Sequence, residues 1–296
     1  MKHEIDLKKY NYYTDLTIES LKNNNIDIKP KIKKYDNIVV TDIDVDKDTS
    51  NIINKKEGKY ITLEFDDATD SDNQDNIVKV LSNELKKFIN VNRDELILII
   101  GLGNDMSTPD SLGPKCIDKI VVTNHIYELN LLDDNYNRVA LFKPSVVGKT
   151  GIETSTIISS IVDFLKPKLV IVIDSLASSS IDRLNKTIQI TNTGINPGSG
   201  IGNKRKEIST DTLHVPVIAI GVPTVVSALN IVNDTLTYIY NNYNYKDDKL
   251  DDLFKEVFKD EDFDLVVTPT EIDYVIDCLS KIISISINNI VCKNDN

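Results

Sequence analysis

Two aspartates in this chain stand where acid and base chemistry could be done. Asp110 lies in "GLGNDMSTPDSLGP" (101–114), directly behind the apolar run "LILII" (96–100), and Asp174 closes a second apolar run, "LVIVI" (169–173). Both runs read as strands. In an open parallel sheet the carboxyl ends of the strands line the ligand crevice, so two acids far apart in sequence can meet there. Two carboxyl groups held close in a partly desolvated crevice cannot both ionise easily: one keeps a proton, and the other can activate a water molecule. That is the physical basis of peptide hydrolysis by a carboxylate pair. Each aspartate also has a structural reading, Asp110 as a turn or N-cap residue after Pro109 and Asp174 as the cap of a helix at "SLASS". The pattern alone does not choose between them.

Other chemistries lack a complete signature. A dinucleotide fingerprint G-x-G-x-x-G would need glycine where Met106 stands, and a P-loop ending at Gly148-Lys149-Thr150 would need glycine at Lys143. Ser199 in "PGSGI" has no glycine at either position that a nucleophile elbow requires. The three cysteines, Cys116, Cys278 and Cys292, show no metal-ligand spacing and suggest a reducing, intracellular setting. The three histidines form no H-E-x-x-H, and nothing ties Cys116 to His125 or His214 as a nucleophile pair. No cofactor and no metal are therefore expected. The loop "TNTGINPGSGIGNKR" (191–205) could hold an anion on backbone N–H groups beside Lys204 and Arg205, or its glycines could serve turns and close packing.

The elements that must position the acids follow from patterning. With 296 residues, 41% of them hydrophobic, the chain can build a substantial core. Its net charge of -12 repels nucleic-acid phosphate and anionic membrane, so neither is an expected partner. No apolar N-terminal leader is visible, nor an uninterrupted apolar window of membrane-spanning length. Residues 1–60 read as one strand, "IVVTDIDV" (38–45), among loops, and "DDATDSDNQDN" (66–76) as a solvated acidic turn. From residue 77 helical and continuous apolar stretches alternate: helix 77–89, strand 95–101, helix 151–167, strand 168–174, strand 215–221, and helices 225–243 and 269–290. The expected fold is α/β, a mostly parallel sheet flanked by helices, with an irregular N-terminal segment and a long functional loop at 191–205.

Several long segments resemble the spore germination proteases, endopeptidases that degrade small acid-soluble spore proteins. The resemblance is carried by "YYTDLTIE" (12–19), "GLGNDMSTPDSLGP" (101–114), "VVGKTGIET" (146–154), "IDSLAS" (173–178), "TIQITNTGINPGSGIGNKRKEIS" (187–209), "VPVIAIGVPTVV" (215–226) and "VTPTEID" (267–273). It implies an atypical aspartic-type peptidase with a fold related to hydrogenase maturation endopeptidases. In that family Asp110 and Asp174 correspond to the catalytic pair, one acting as general base on water and the other polarising the scissile carbonyl. Asn104, Thr108, Gly198 and Gly200 are candidates for supporting the acids or holding substrate.

The resemblance further implies a zymogen that processes itself between Asp15 and Leu16, with residues 1–15 as propeptide and 16–296 as a single α/β peptidase domain. It implies a homotetramer in the cytoplasm of the developing spore and in the spore core. This chain departs from the family pattern at Tyr13, Ser179 and Ser227, where Arg, Arg and Asp are usual, and at Lys149, Ser175 and His214. The readings that compete with the acid pair are a metal-assisted processing peptidase and a non-enzymatic anion-binding protein.

Overall fold

The computed structural model describes residues 14–26, 28–198, 205–243 and 265–292. The first half runs α1 (Thr17–Asn23), β1 (Lys31–Tyr35), β2 (Ile38–Val45), α2 (Lys47–Ile53), β3 (Gly58–Phe65) and α3 (Ser71–Lys86). It continues through β4 (Ile97–Gly101), α4 (Leu112–Ile117), α5 (Asn124–Glu128), β5 (Val139–Phe142), α6 (Val147–Thr150) and α7 (Thr154–Leu165). Then come β6 (Leu169–Ser178), β7 (Thr187–Thr191), α8 (Thr210–Leu213), β8 (Val217–Ser227), α9 (Ala228–Tyr243), β9 (Val266–Val267) and α10 (Ile272–Val291).

Among the described residues all the strands join one sheet in the order β1-β2-β3-β7-β8-β6-β4-β5, with β9 added against β8. The α/β class with flanking helices expected from the sequence holds. Parallel pairing covers β5, β4, β6 and β8, where β4 is buried at every position because helices cover both faces. The rest of the sheet is antiparallel, so the sheet is mixed. The N-terminal residues do not form one strand among loops but supply β1, β2 and β3 in succession. β1 is exposed along its whole length and so carries no inward-facing apolar pattern to read.

Strand alternation sends apolar side chains to two faces. On one face Ile97, Ile99, Ile171, Ile173, Ile218 and Ile220 pack with α3, α4 and α10 in the largest core cluster. α10 has the length and mean hydropathy of a membrane span, yet Ile276, Leu279, Ile282, Ile283 and Ile287 are fully buried in that core. The second face carries two separate apolar clusters. Leu98, Ile100, Val170 and Val172 pack under α7 and α8, while Ile43, Val45 and Tyr60 pack with Leu21 of α1 and Ile53 of α2. Between those clusters the sheet is polar: Thr62, Gln189, Gly221 and Asp174 pair in one row across β3, β7, β8 and β6.

Candidate active site

Asp110 is delivered by a tight strand-to-helix connection. After β4 the chain continues one residue in register, Leu102 N–H donating to the Ile173 carbonyl at 2.8 Å, and then reverses at Gly103. This glycine has φ +112°, and a Cβ there would lie 2.1 Å from the Asp110 carbonyl oxygen, so no side chain fits. Asn104 N–H closes the turn on that same carbonyl at 2.8 Å, and the Asn104 Oδ1 accepts from Met106 N–H at 3.1 Å. Asn104 therefore supports the backbone of the acid. Thr108 opens a single 3₁₀ turn, Thr108–Asp110, and its carbonyl accepts from the Ser111 hydroxyl at 2.8 Å. Gly113 then lets α4 approach so closely that a Cβ would fall 2.2 Å from the Leu102 carbonyl.

Asp174 sits in the polar row of the sheet, 5% exposed, with one carboxylate oxygen accepting from Ser175 N–H at 2.9 Å. Burial pushes its carboxyl well above the usual range, and the neighbouring charges of Asp110 and Asp15 push the same way. Asp110 is less enclosed. Burial raises it to about 6, against the opposing pull of the Asn104 backbone amide and Arg205. A partly desolvated pair with one acid more strongly protonated than the other is what shared-proton hydrolysis requires.

Both aspartates line one cavity of about 290 Å³ together with Asp15, Gly198, Arg205 and Thr224. The hydroxyls of Ser175 and Thr224, which also line it, are buried with no hydrogen-bond partner among the described residues; such groups are ordinarily met by water or a ligand. Gly198, at φ +75°, belongs to this lining. Gly200, like Ser199 and Lys204, lies outside the described residues.

The N-terminal segment enters the same place in irregular conformation and is held against the end of β6. Asp15 N–H donates to the Ala177 carbonyl at 3.0 Å, and Ala177 N–H donates to the Asp15 carboxylate at 2.8 Å. The carbonyl of Asp15, which belongs to the bond expected to be cut, accepts from Gln189 Nε2 at 3.2 Å and from Lys55 Nζ at 3.3 Å. Lys55 also donates to the Thr14 carbonyl at 2.8 Å. The other end of the Gln189 amide accepts from Thr17 N–H at 2.8 Å, so its two ends are oriented unambiguously by their partners. Leu16 is fully buried. Glu19 anchors the segment, accepting from the Ser178 hydroxyl at 2.8 Å and from Ser179 N–H and hydroxyl at 2.7 Å each.

The sequence singled out the two acids that the structure brings to one cavity, but not Lys55 and Gln189, which contact the Asp15 carbonyl. Gln189 left a trace, a lone amide among alternating Thr and Ile in "TIQIT". Lys55 left none. Among the described residues no three His, Cys, Asp or Glu side chains gather as a metal site.

A family model described as germination protease matches residues 13–246. The chain is 43% identical over 259 residues to the germination protease of Bacillus subtilis (strain 168), covering 82% of this chain and 70% of that protein. It is 41% identical over 262 residues to that of Priestia megaterium, covering 82% and 71%. It is 44% identical over 234 residues to that of Oceanobacillus iheyensis, covering 77% and 64%. A solved NiFe hydrogenase maturation protease from Thermococcus kodakarensis KOD1 shares 15% identity at a TM-score of 0.31, covering 60% of this chain and 99% of that one. Since the family model spans most of the chain and these relatives align along four-fifths of it or nearly so, this protein is an endopeptidase belonging to the germination protease family.

Proposed function

We propose that this endopeptidase starts the breakdown of small acid-soluble spore proteins, and that Asp110 and Asp174 are its catalytic pair. The observation that carries the reading is that Asp15 lines the same cavity as both acids. The more deeply buried Asp174 holds the shared proton, and Asp110, ionised above about pH 6, takes a proton from the attacking water. The cut between Asp15 and Leu16 is made by the chain itself, residues 1–15 being the propeptide and 16–296 the peptidase domain. Asn104 and Thr108 fix the turn that carries Asp110, and Gly198 shapes the substrate channel. The family resemblance supports a homotetramer acting as a soluble protein of the spore core. Neither a metal-assisted mechanism nor a purely anion-binding role gains support from the site.

The test is cleavage of a small acid-soluble spore protein by the processed enzyme, with and without a chelator. Asp110→Asn and Asp174→Asn are each expected to lose at least about a thousandfold in kcat, while chelator leaves the wild type unchanged. Activity abolished by chelator would restore the metal-assisted reading. No cleavage by any processed form would sink the proposal.

A further inference from the structure

We infer that Lys55 and Gln189 are catalytic residues that bind the carbonyl oxygen of the scissile peptide and stabilise the charge it acquires during cleavage. The inference rests on the Asp15–Leu16 assignment above and adds to it the group that acts as electrophile. Three observations carry it. First, both donors converge on one atom, the Asp15 carbonyl oxygen, at 3.2 and 3.3 Å. Second, Gln189 also accepts from Thr17 N–H, so one side chain grips the backbone on both sides of the bond and fixes its register. Third, Gln189 and Asp174 flank Gly221 in the same row of the sheet. No side chain fits at 221, where a Cβ would lie 2.5 Å from the Leu176 side chain, so bare backbone covered by Leu176 separates the acid from the amide.

The proton path follows from the roles proposed above for the two acids. Water oxygen attacks the Asp15 carbonyl carbon and its proton passes to ionised Asp110. The carbonyl π electrons move onto the oxygen, where the Lys55 ammonium and the Gln189 amide receive them. Collapse of that intermediate restores the carbonyl and breaks the bond to nitrogen, and the Leu16 nitrogen takes the Asp174 proton. The products are a carboxyl group on Asp15 and an amine on Leu16. With the carbonyl oxygen held by Lys55 and Gln189, the proton on Asp174 is left for the leaving nitrogen. Preorganised donors of this kind act in a water-poor site where each typically changes kcat by about 10²–10³-fold.

The full-length chain tests this in a single turnover, by following the first-order appearance of a new N-terminus. Lys55→Met and Gln189→Leu are expected to slow it by about 10²–10³-fold each, while Lys55→Arg, which keeps charge and donors, stays within about tenfold of wild type. Thermal melts identify any variant that fails to fold, and Lys55→Arg then decides the role of residue 55: a folded Lys55→Arg as slow as the catalytic-acid variants overturns it. Wild-type sequencing separates the two layers. A new N-terminus anywhere but Leu16 overturns the bond assignment and this inference with it. A start at Leu16, with folded Lys55→Met and Gln189→Leu both within threefold of wild type, overturns only the role given to these two residues.

Discussion

Asp110 and Asp174 differ in one physical respect that matters, the degree to which water reaches them. Asp174 is walled in by the sheet and further disfavoured as an anion by Asp110 and Asp15, whereas Asp110 sits at the cavity wall with a carboxyl near 6. In the proposed role of base Asp110 must be ionised, so its raised pKa limits the reaction from the acid side. Below about pH 6 Asp110 binds a proton and the rate of Leu16 appearance is expected to fall tenfold per pH unit; above it the rate levels until Asp174 gives up its proton or Lys55, whose ammonium burial pushes below its usual range, loses one. A rate that stays flat from pH 7 to pH 4 would remove Asp110 from the role of base. At this scale the acids were legible in sequence because each follows a buried apolar run, Asp174 directly and Asp110 within the glycine-rich turn behind it. Lys55 was not legible, since a lysine after a surface helix looks like any solvated charge until β3 and β7 bring it over Asp15.

At the scale of elements, α1 is held down chiefly by one buried carboxylate. Glu19 is 1% exposed and accepts from Ser178 and Ser179, with Arg183 at 3.8 Å supplying opposite charge. The family resemblance expects arginine at 179, and here a serine hydroxyl and its own backbone amide do the holding. Glu19→Ala strands those donors, a cost of roughly 2–4 kcal/mol that falls on the N-terminal segment. Hydrogen exchange at Ser20, whose N–H donates to the Leu16 carbonyl, should speed up in Glu19→Ala while the amides of α10 keep their protection. Unchanged protection at Ser20 would show that the segment is held by something else. The same strand end explains where the sequence-based boundaries slipped. β6 does not stop at Asp174 but runs on to Ser178, because residues 175–178 pair with β8 across an irregularity at Leu176/Ala177. For the same reason α9 begins at Ala228 rather than 225, the preceding valines being spent on β8. α3 starts earlier than its apolar spacing suggests, at Ser71, because the Asp70 carboxylate caps it through Asn73 N–H, so part of the acidic turn is helix.

For the molecule as a whole, the site is a consequence of how the second face of the sheet is divided. An apolar cluster under α7 and α8 and another under α1 and α2 leave a polar strip between them, and the antiparallel strands β3 and β7 extend that strip beyond the parallel half. The α/β class was readable from the uninterrupted apolar runs of β4, β6 and β8. The extension was not, because the pairing of β3 with β7 joins residues far apart in sequence and only topology puts Gln189 in one row with Asp174, Gly221 between them. This division has a consequence for the product. In the proposed cut the neutral carbonyl facing Lys55 becomes a full carboxylate, and a hydrogen bond to a charged acceptor is stronger than one to a neutral one by about 1 kcal/mol. The tetrapeptide Tyr12-Tyr13-Thr14-Asp15 with a free C-terminal carboxylate should therefore inhibit the processed enzyme competitively, and its C-terminal amide should bind roughly fivefold more weakly. Lys55→Met should erase the difference between the two peptides, which residual binding measured by calorimetry would register even if that variant turns over too slowly to assay. Equal affinity of acid and amide for the wild-type enzyme would mean that Lys55 does not face the new carboxylate.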